Sequence, residues 1–175
     1  MRFAWRAALC VLGNVHSVAR FSFPMKTIII GLGNPILGDD GAGWRVAEEV
    51  KKQIPPDPAM TVEFLSIGGI SLMEHLIGYE RAILIDAMTS DHAPGSVMTS
   101  NLMQIPDVSA FHTTSAHDTS LQNALKLGKA MGAALPEQIT VVGIVANHVY
   151  DFSEELSLPV AQAISTATQI VIDLL

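Results

Sequence analysis

The sequence has little cysteine, few basic residues and no long apolar run. Its single cysteine, Cys10, excludes an intramolecular disulfide framework and a cysteine-rich metal site. Lys and Arg number 10 against 17 Asp and Glu, which gives a formal net charge of −7. Nucleic acid is therefore not expected as a partner, because phosphate binding depends on clustered basic side chains. No run of about 18 apolar residues lacks a polar break, so no membrane span is expected either.

The composition is that of a globular protein with a distinct N-terminal segment. Apolar residues make up 49% and charged residues 15% of the 175 positions, enough for one domain with a real core. Residues 1–24 contain three arginines and no acid, and they end at Pro24. We interpret them as a poorly ordered extension or a start-site artefact, with a weak signal peptide as the alternative. Residues 25–175, from Met25, are expected to form the single functional domain.

Short β-branched runs alternate with segments of helical periodicity along this domain. Such alternation predicts an α/β protein with a mostly parallel, twisted sheet of about five strands and helices on both faces. The strand order cannot be read from the pattern. Strands are predicted at 27–30, 61–66, 81–86, 96–102 (an edge strand) and 138–145, and helices at 44–52, 70–77, 118–131 and 159–175.

Three side chains that commonly bind metals are predicted to lie at one edge of this sheet. Asp40 follows the first strand, Asp86 ends the third strand, and His117 lies in the loop before a later helix. Ligands of open α/β sheets bind outside the carboxyl ends of the strands, so these residues are candidates for one site. Two carboxylates and an imidazole, with open positions left over, suit a divalent ion such as nickel, zinc, manganese or iron.

Structural roles remain open for the same residues. Asp39 or Asp40 can cap the first helix, and we assign that role to Asp39, which leaves Asp40 free for chemistry. Asp86 can be a strand-end or turn residue. His117 can be an ordinary loop histidine, and His112 competes with it for the same role.

The remaining histidines are weaker candidates for the site. His75 lies on a predicted helix and His92 in a predicted turn, where both are expected to be solvated. His148 follows the last strand.

The glycine-rich segment 31–43, GLGNPILGDDGAG, partly matches a dinucleotide-binding turn. Its spacing is not G-x-G-x-x-G, and the acids Asp39 and Asp40 at the helix start would repel a pyrophosphate. The chain has no G-x-S-x-G elbow, and Cys10 lies in the extension, so serine or cysteine nucleophile chemistry has no support. Nucleotide binding by a generic α/β domain stays as a minor alternative.

The same segment resembles the hydrogenase maturation endopeptidases, which remove a C-terminal peptide from the large subunit of nickel-iron hydrogenases. The resemblance covers residues 25–174 and implies a three-layer α/β/α sandwich of the phosphorylase/hydrolase-like kind. Many family members carry an acid before the paired glycines that follow the second strand, whereas this chain has Ile67. Further matching segments are 84–87 (LIDA), 94–95 (PG), 115–117 (SAH), 142–144 (VGI) and 156–157 (LS).

The resemblance implies roles for individual residues. The family's metal-binding acid, strand-end aspartate and loop histidine correspond to Asp40, Asp86 and His117. The metal would be nickel carried by the substrate, with no tightly bound cofactor, and the precursor would be recognised only after nickel insertion. The substrate's nickel would polarise the scissile carbonyl or activate water, or Asp40 or Asp86 would act as general base, as in an aspartic-type endopeptidase. A cytoplasmic monomer that docks with the large-subunit precursor is expected.

Two other functions compete with this interpretation. A metal-recognising binding or chaperone protein without turnover would have the same sequence features. Peptidyl-tRNA hydrolases also begin with a strand followed by GLGNP, which matches residues 31–35. This chain lacks their following segment with the catalytic histidine, and its acidic balance disfavours a tRNA substrate.

Overall fold

The computed structural model describes residues 25–105, 120–147 and 152–175, so the predicted extension 1–24 lies outside the described residues. Each described β-strand and α-helix overlaps its predicted position. Within these ranges no helix is long and apolar enough to cross a membrane. The strands are β1 (Thr27–Leu32), β2 (Met60–Leu65), β3 (Arg81–Met88), β4 (Val97–Asn101) and β5 (Gln138–Val145), and the helices are α1 (Ala42–Gln53), α2 (Gly69–His75), α3 (Leu121–Ala130) and α4 (Leu158–Asp173).

The strands form one five-stranded sheet in the order β2-β1-β3-β5-β4. The first four strands in this order are parallel, and β4 pairs antiparallel with β5. The prediction of a mostly parallel sheet with an edge strand at 96–102 is therefore confirmed. The carboxyl ends of β1, β3 and β5 meet at one edge, because these three strands are parallel neighbours.

Helices cover both faces of the sheet and give the molecule three layers. Ile29 and Ile83 belong to a core shared with α1 and α4, whereas Ile28 and Leu84 belong to a core shared with α2 and α3. Successive side chains of a strand point to opposite faces, so the continuous apolar runs of β1 and β3 fill both cores. The predicted α/β/α sandwich is confirmed.

The third strand is longer than predicted. It continues past Asp86 to Met88, and Ala87 and Met88 pair with Ile144 and Val145 of β5. An acid usually marks a strand end, because Asp is depleted in strands. Here the length of the neighbouring strand decides where β3 stops, so Asp86 lies inside the strand and opposite Gly143.

Truncating a central side chain should show how much the core contributes to the free energy of unfolding. Ile29 of β1 is completely buried between the sheet and its helices. We expect Ile29→Ala to lower the free energy of unfolding by about 2–5 kcal/mol, because it removes buried methylene groups and leaves a cavity. The matched control is Ile77→Ala, which truncates an isoleucine that is 46% exposed and should cost far less. Urea denaturation of both variants measures the difference, and equal losses would contradict the assignment of this core.

Candidate functional site

The turn between β1 and α1 folds tightly back on itself. Gly33 has a φ of +117°, and a Cβ at this position would lie 1.8 Å from the backbone oxygen of Asp40. Only glycine fits both the left-handed backbone and this close approach. The segment then enters a short 3-10 helix, Gly38–Gly41, which carries Asp39 and Asp40. The tight turn therefore brings Asp40 directly over the end of β1.

The carboxylate of Asp40 is buried and oriented by the backbone. The residue is 5% exposed, and its Oδ2 accepts a hydrogen bond from the Asn34 backbone N–H at 2.6 Å. Hydrogen bonds to an ionised acceptor are short and about twice as strong as neutral ones. Asp40 does not cap α1, as expected, but the loop backbone holds its carboxylate. Its position is set by the loop that carries it.

Asp39 does not cap the first helix, which contradicts the prediction. The N-cap of α1 is Gly41, and no side chain bonds to the helix there. The carboxylate of Asp39 is buried and accepts two hydrogen bonds from Ser157, one from the backbone N–H at 2.7 Å and one from the hydroxyl at 2.8 Å. Ser157 precedes α4 and lies far away in sequence, so no local pattern could have indicated it.

The start of α1 lies against both β1 and β3. A Cβ on Gly43 would be 2.3 Å from the backbone oxygen of Leu32 and 2.4 Å from that of Ile85. A Cβ on Gly31 would likewise be 2.5 Å from the backbone oxygen of Gly43. These glycines allow the helix to approach the strands without side chains in between. The turn that carries Asp40 therefore packs beside β3, next to the position of Asp86.

Asp86 is half-buried in β3, near its carboxyl end. Strand alternation places it on the same face as Ala82 and Leu84, which is the face covered by α2 and α3. Gly143 lies opposite it on β5 and leaves space there, which the Met88 side chain partly fills. The structure thus brings the segment of Asp40 and the strand of Asp86 together at one edge of the sheet.

The third predicted ligand, His117, lies outside the described residues, as do His112 and His148. In the portion of the chain that is described, no group of three His, Cys, Asp or Glu side chains could hold a metal ion. The complete set of Asp40, Asp86 and His117 therefore stays a prediction.

The two histidines within the described residues, His75 and His92, are exposed, as predicted. His75 lies 2.8 Å from a carboxylate oxygen of Glu63, and His92 lies 3.3 Å from the Ser90 hydroxyl. Both contacts are local to the surface of the protein, so neither histidine is a candidate for this site.

Comparison with known proteins decides between the functions that the residues leave open. The family model described as hydrogenase maturation protease matches residues 44–174. The chain belongs to the hydrogenase maturation protease family. The matched stretch begins after the glycine-rich segment 31–43, so membership also rests on parts of the chain beyond the segment that first suggested it.

Similar proteins support the same assignment. The chain is 30% identical over 127 residues to the hydrogenase 2 maturation protease of Escherichia coli K12, covering 69% of this chain and 73% of the relative. The structure of the hydrogenase maturating endopeptidase HybD from E. coli is 25% identical and has a TM-score of 0.69, covering 85% of this chain and 91% of that one. The protease HybD from Thermococcus kodakarensis is 28% identical with a TM-score of 0.58, covering 86% and 99%.

Family membership makes this hydrogenase maturation protease a peptide hydrolase. It favours proteolysis over the peptidyl-tRNA hydrolase and nucleotide-binding alternatives. Hydrolysis of a peptide bond needs an activated water and a polarised carbonyl, and carboxylates such as those beside the first turn can assist in this chemistry.

Proposed function

We propose that the protein removes the C-terminal extension of a nickel-iron hydrogenase large-subunit precursor after nickel insertion. In this proposal Asp40, Asp86 and His117 recognise the nickel that the substrate carries. The observation that supports it is the packing of the Asp40 turn against β3, beside Asp86, at the carboxyl edge of the sheet. This edge is where α/β proteins bind their ligands.

The donor set fits a nickel ion that the precursor presents with open coordination positions. Carboxylate oxygens and imidazole nitrogen are suitable ligands for a borderline divalent ion. Their binding would dock the precursor in one register and make cleavage conditional on nickel loading. The hydrogen bond from Asn34 holds the Asp40 carboxylate in one orientation before the substrate arrives.

Two routes to hydrolysis are open to this arrangement. Asp40 or Asp86 can act as general base and take a proton from the attacking water. Alternatively, both carboxylates can serve recognition, while the substrate's nickel polarises the scissile carbonyl or activates the water. Nickel is substrate-borne in both routes, so the protease itself needs no tightly bound cofactor.

The loops around this edge suit a peptide substrate. Ile36, after β1, and Ile67, after β2, are 48% and 38% exposed. Apolar side chains at the carboxyl ends of neighbouring strands offer contacts to an extended chain rather than to a small polar ligand. Ile67 stands where many family members have an acid, so we expect it to contribute to the selectivity of the protease for its own precursor. We also propose that the protein works as a monomer in the cytoplasm.

A processing assay tests this function directly. The protein from Met25 onward is mixed with nickel-loaded and nickel-free large-subunit precursor, and the released C-terminal peptide is followed by mass spectrometry. Cleavage of the loaded form alone supports the protease and its nickel dependence. Binding without cleavage favours a recognition protein, and equal cleavage of both forms rejects nickel recognition.

The histidine assignment has its own test in the same assay. We expect His117→Ala to lower the processing rate by about 100-fold or more, since one metal-binding or proton-transferring group is lost. His112→Ala is the matched control and should process at nearly the wild-type rate. The reverse result would transfer the role to His112.

A further inference from the structure

We infer that Asp39 is a positioning residue, which fixes the Asp40 carboxylate by fastening the glycine-rich turn to the start of α4. The inference rests on the proposed function, because it assigns Asp39 a part in the same site. The sequence pattern predicts a different role for Asp39, as the cap of the first helix. Asp39 does not touch the substrate in this inference and acts only through its neighbour.

The fastening consists of two hydrogen bonds to one residue. Oδ1 of Asp39 accepts the backbone N–H of Ser157, and Oδ2 accepts its hydroxyl, so both carboxylate oxygens are engaged. Asp39 is only 1% exposed, and the bonds are therefore shielded from water. Ser157 is the N-cap position of α4, where the positive end of the helix dipole favours a carboxylate.

Backbone contacts extend the same attachment on the other side of the turn. The N–H of Gly38 donates to the Ser153 carbonyl at 2.7 Å, and the N–H of Ser153 donates to the Ile36 carbonyl at 3.1 Å. Arg45 of α1 reaches the carbonyl of Glu154 at 3.4 Å. The stretch from Ser153 to Ser157 thus runs along the turn. The two hydrogen bonds between Asp39 and Ser157 lie at the far end of this stretch.

The position of Asp40 depends on this attachment because both acids share one short helix. Asp39 and Asp40 lie in the 3-10 helix Gly38–Gly41, so a rotation that releases Asp39 also moves Asp40. On the opposite side of this short helix, Asp40 accepts the hydrogen bond from the Asn34 backbone N–H. Displacement of a catalytic carboxylate by about 1 Å can lower a rate by about 100-fold.

Two substitutions of Asp39 distinguish the effect of losing its hydrogen bonds from the effect of losing its charge. In Asp39→Asn the side-chain oxygen can still accept the Ser157 N–H, and the amide N–H can donate to the Ser157 hydroxyl oxygen. The geometry of the attachment is then kept while the charge is lost. Asp39→Ala removes both bonds.

The first readout is the amide proton of Asn34, which reports the Asn34–Asp40 hydrogen bond by nuclear magnetic resonance. We expect an upfield shift of this proton in Asp39→Ala and a nearly unchanged position in Asp39→Asn. The matched control is Val171→Ala, a truncation of a fully buried residue near the other end of α4. It should lower the thermal stability and leave the Asn34 proton in place.

The second readout is the processing of nickel-loaded precursor, measured at a temperature where every variant is folded. Asp39→Ala should lower kcat/KM by about 100-fold, whereas Asp39→Asn and Val171→Ala should keep most of the activity. An unchanged Asn34 proton in Asp39→Ala, or equal losses in Asp39→Asn and Asp39→Ala, would overturn the positioning role. Failure of the wild-type protein to process any precursor rejects the proposed protease function, while the Asn34 proton still decides the role of Asp39.

Discussion

Asp40→Asn should lower the processing rate of nickel-loaded precursor by about 100- to 10,000-fold, the range that a lost general base or metal-binding group produces. The amide oxygen can still accept the Asn34 N–H, so the turn keeps its conformation. The charge and the proton acceptor are lost. Asp86→Asn should have an effect of the same size, because the two acids are proposed to act on one substrate. The measurement is the initial rate of peptide release, with a thermal melt to show that each variant is folded.

The controls for these variants are the two histidines that the structure places on the surface. His75→Ala and His92→Ala should process precursor at the wild-type rate, since neither belongs to the site. Wild-type activity in Asp40→Asn or Asp86→Asn would remove that residue from the proposed site.

Gly33→Ala should strongly destabilise the protein, although it adds only one methyl group. The added Cβ would lie 1.8 Å from the backbone oxygen of Asp40, in a backbone conformation with φ of +117°. Strain of this conformation and overlap with the backbone should together cost at least about 3 kcal/mol of unfolding free energy. Any folded fraction must move Asp40, so processing should be lost as well. Denaturant unfolding and the peptide-release assay measure the two effects.

Comparison with Gly132 separates the cost of the left-handed backbone from the cost of the steric overlap. Gly132 also has a positive φ, +83°, but a Cβ there would meet no atom within 4 Å. Gly132→Ala should therefore cost only about 1–2 kcal/mol, which is the price of the left-handed conformation. Similar losses in both variants would mean that the tight approach of Gly33 to Asp40 is not significant.

Local patterns were sufficient to predict the layers of the fold. The apolar runs at 27–30 and 81–86 and the helical periodicity of 44–52 and 159–175 arise from side chains that alternate or recur toward a core. Period and burial are properties of neighbouring residues, so one sequence reveals them. The order of the strands was not accessible in this way, because it depends on which strands pair at a distance.

The acids illustrate the same limit at the level of single residues. The sequence indicated that Asp40 and Asp86 lie at one edge, since both follow or occupy parallel strands. It assigned Asp39 to the nearest helix, because capping preferences describe only nearby residues. The actual partner, Ser157, is brought to Asp39 by the packing of α4 on α1.

Short-range sequence patterns predict the α/β class, the core-facing residues, the glycine-rich turn and the two acids beside it. All of these follow from periodicity and from residue chemistry over short separations. Tertiary packing sets the strand order, the true end of β3, the bond from Asn34 to Asp40 and the attachment of Asp39 to Ser157. The reason is that each of these depends on how a chain folds back through space, where residues that are distant in sequence become neighbours.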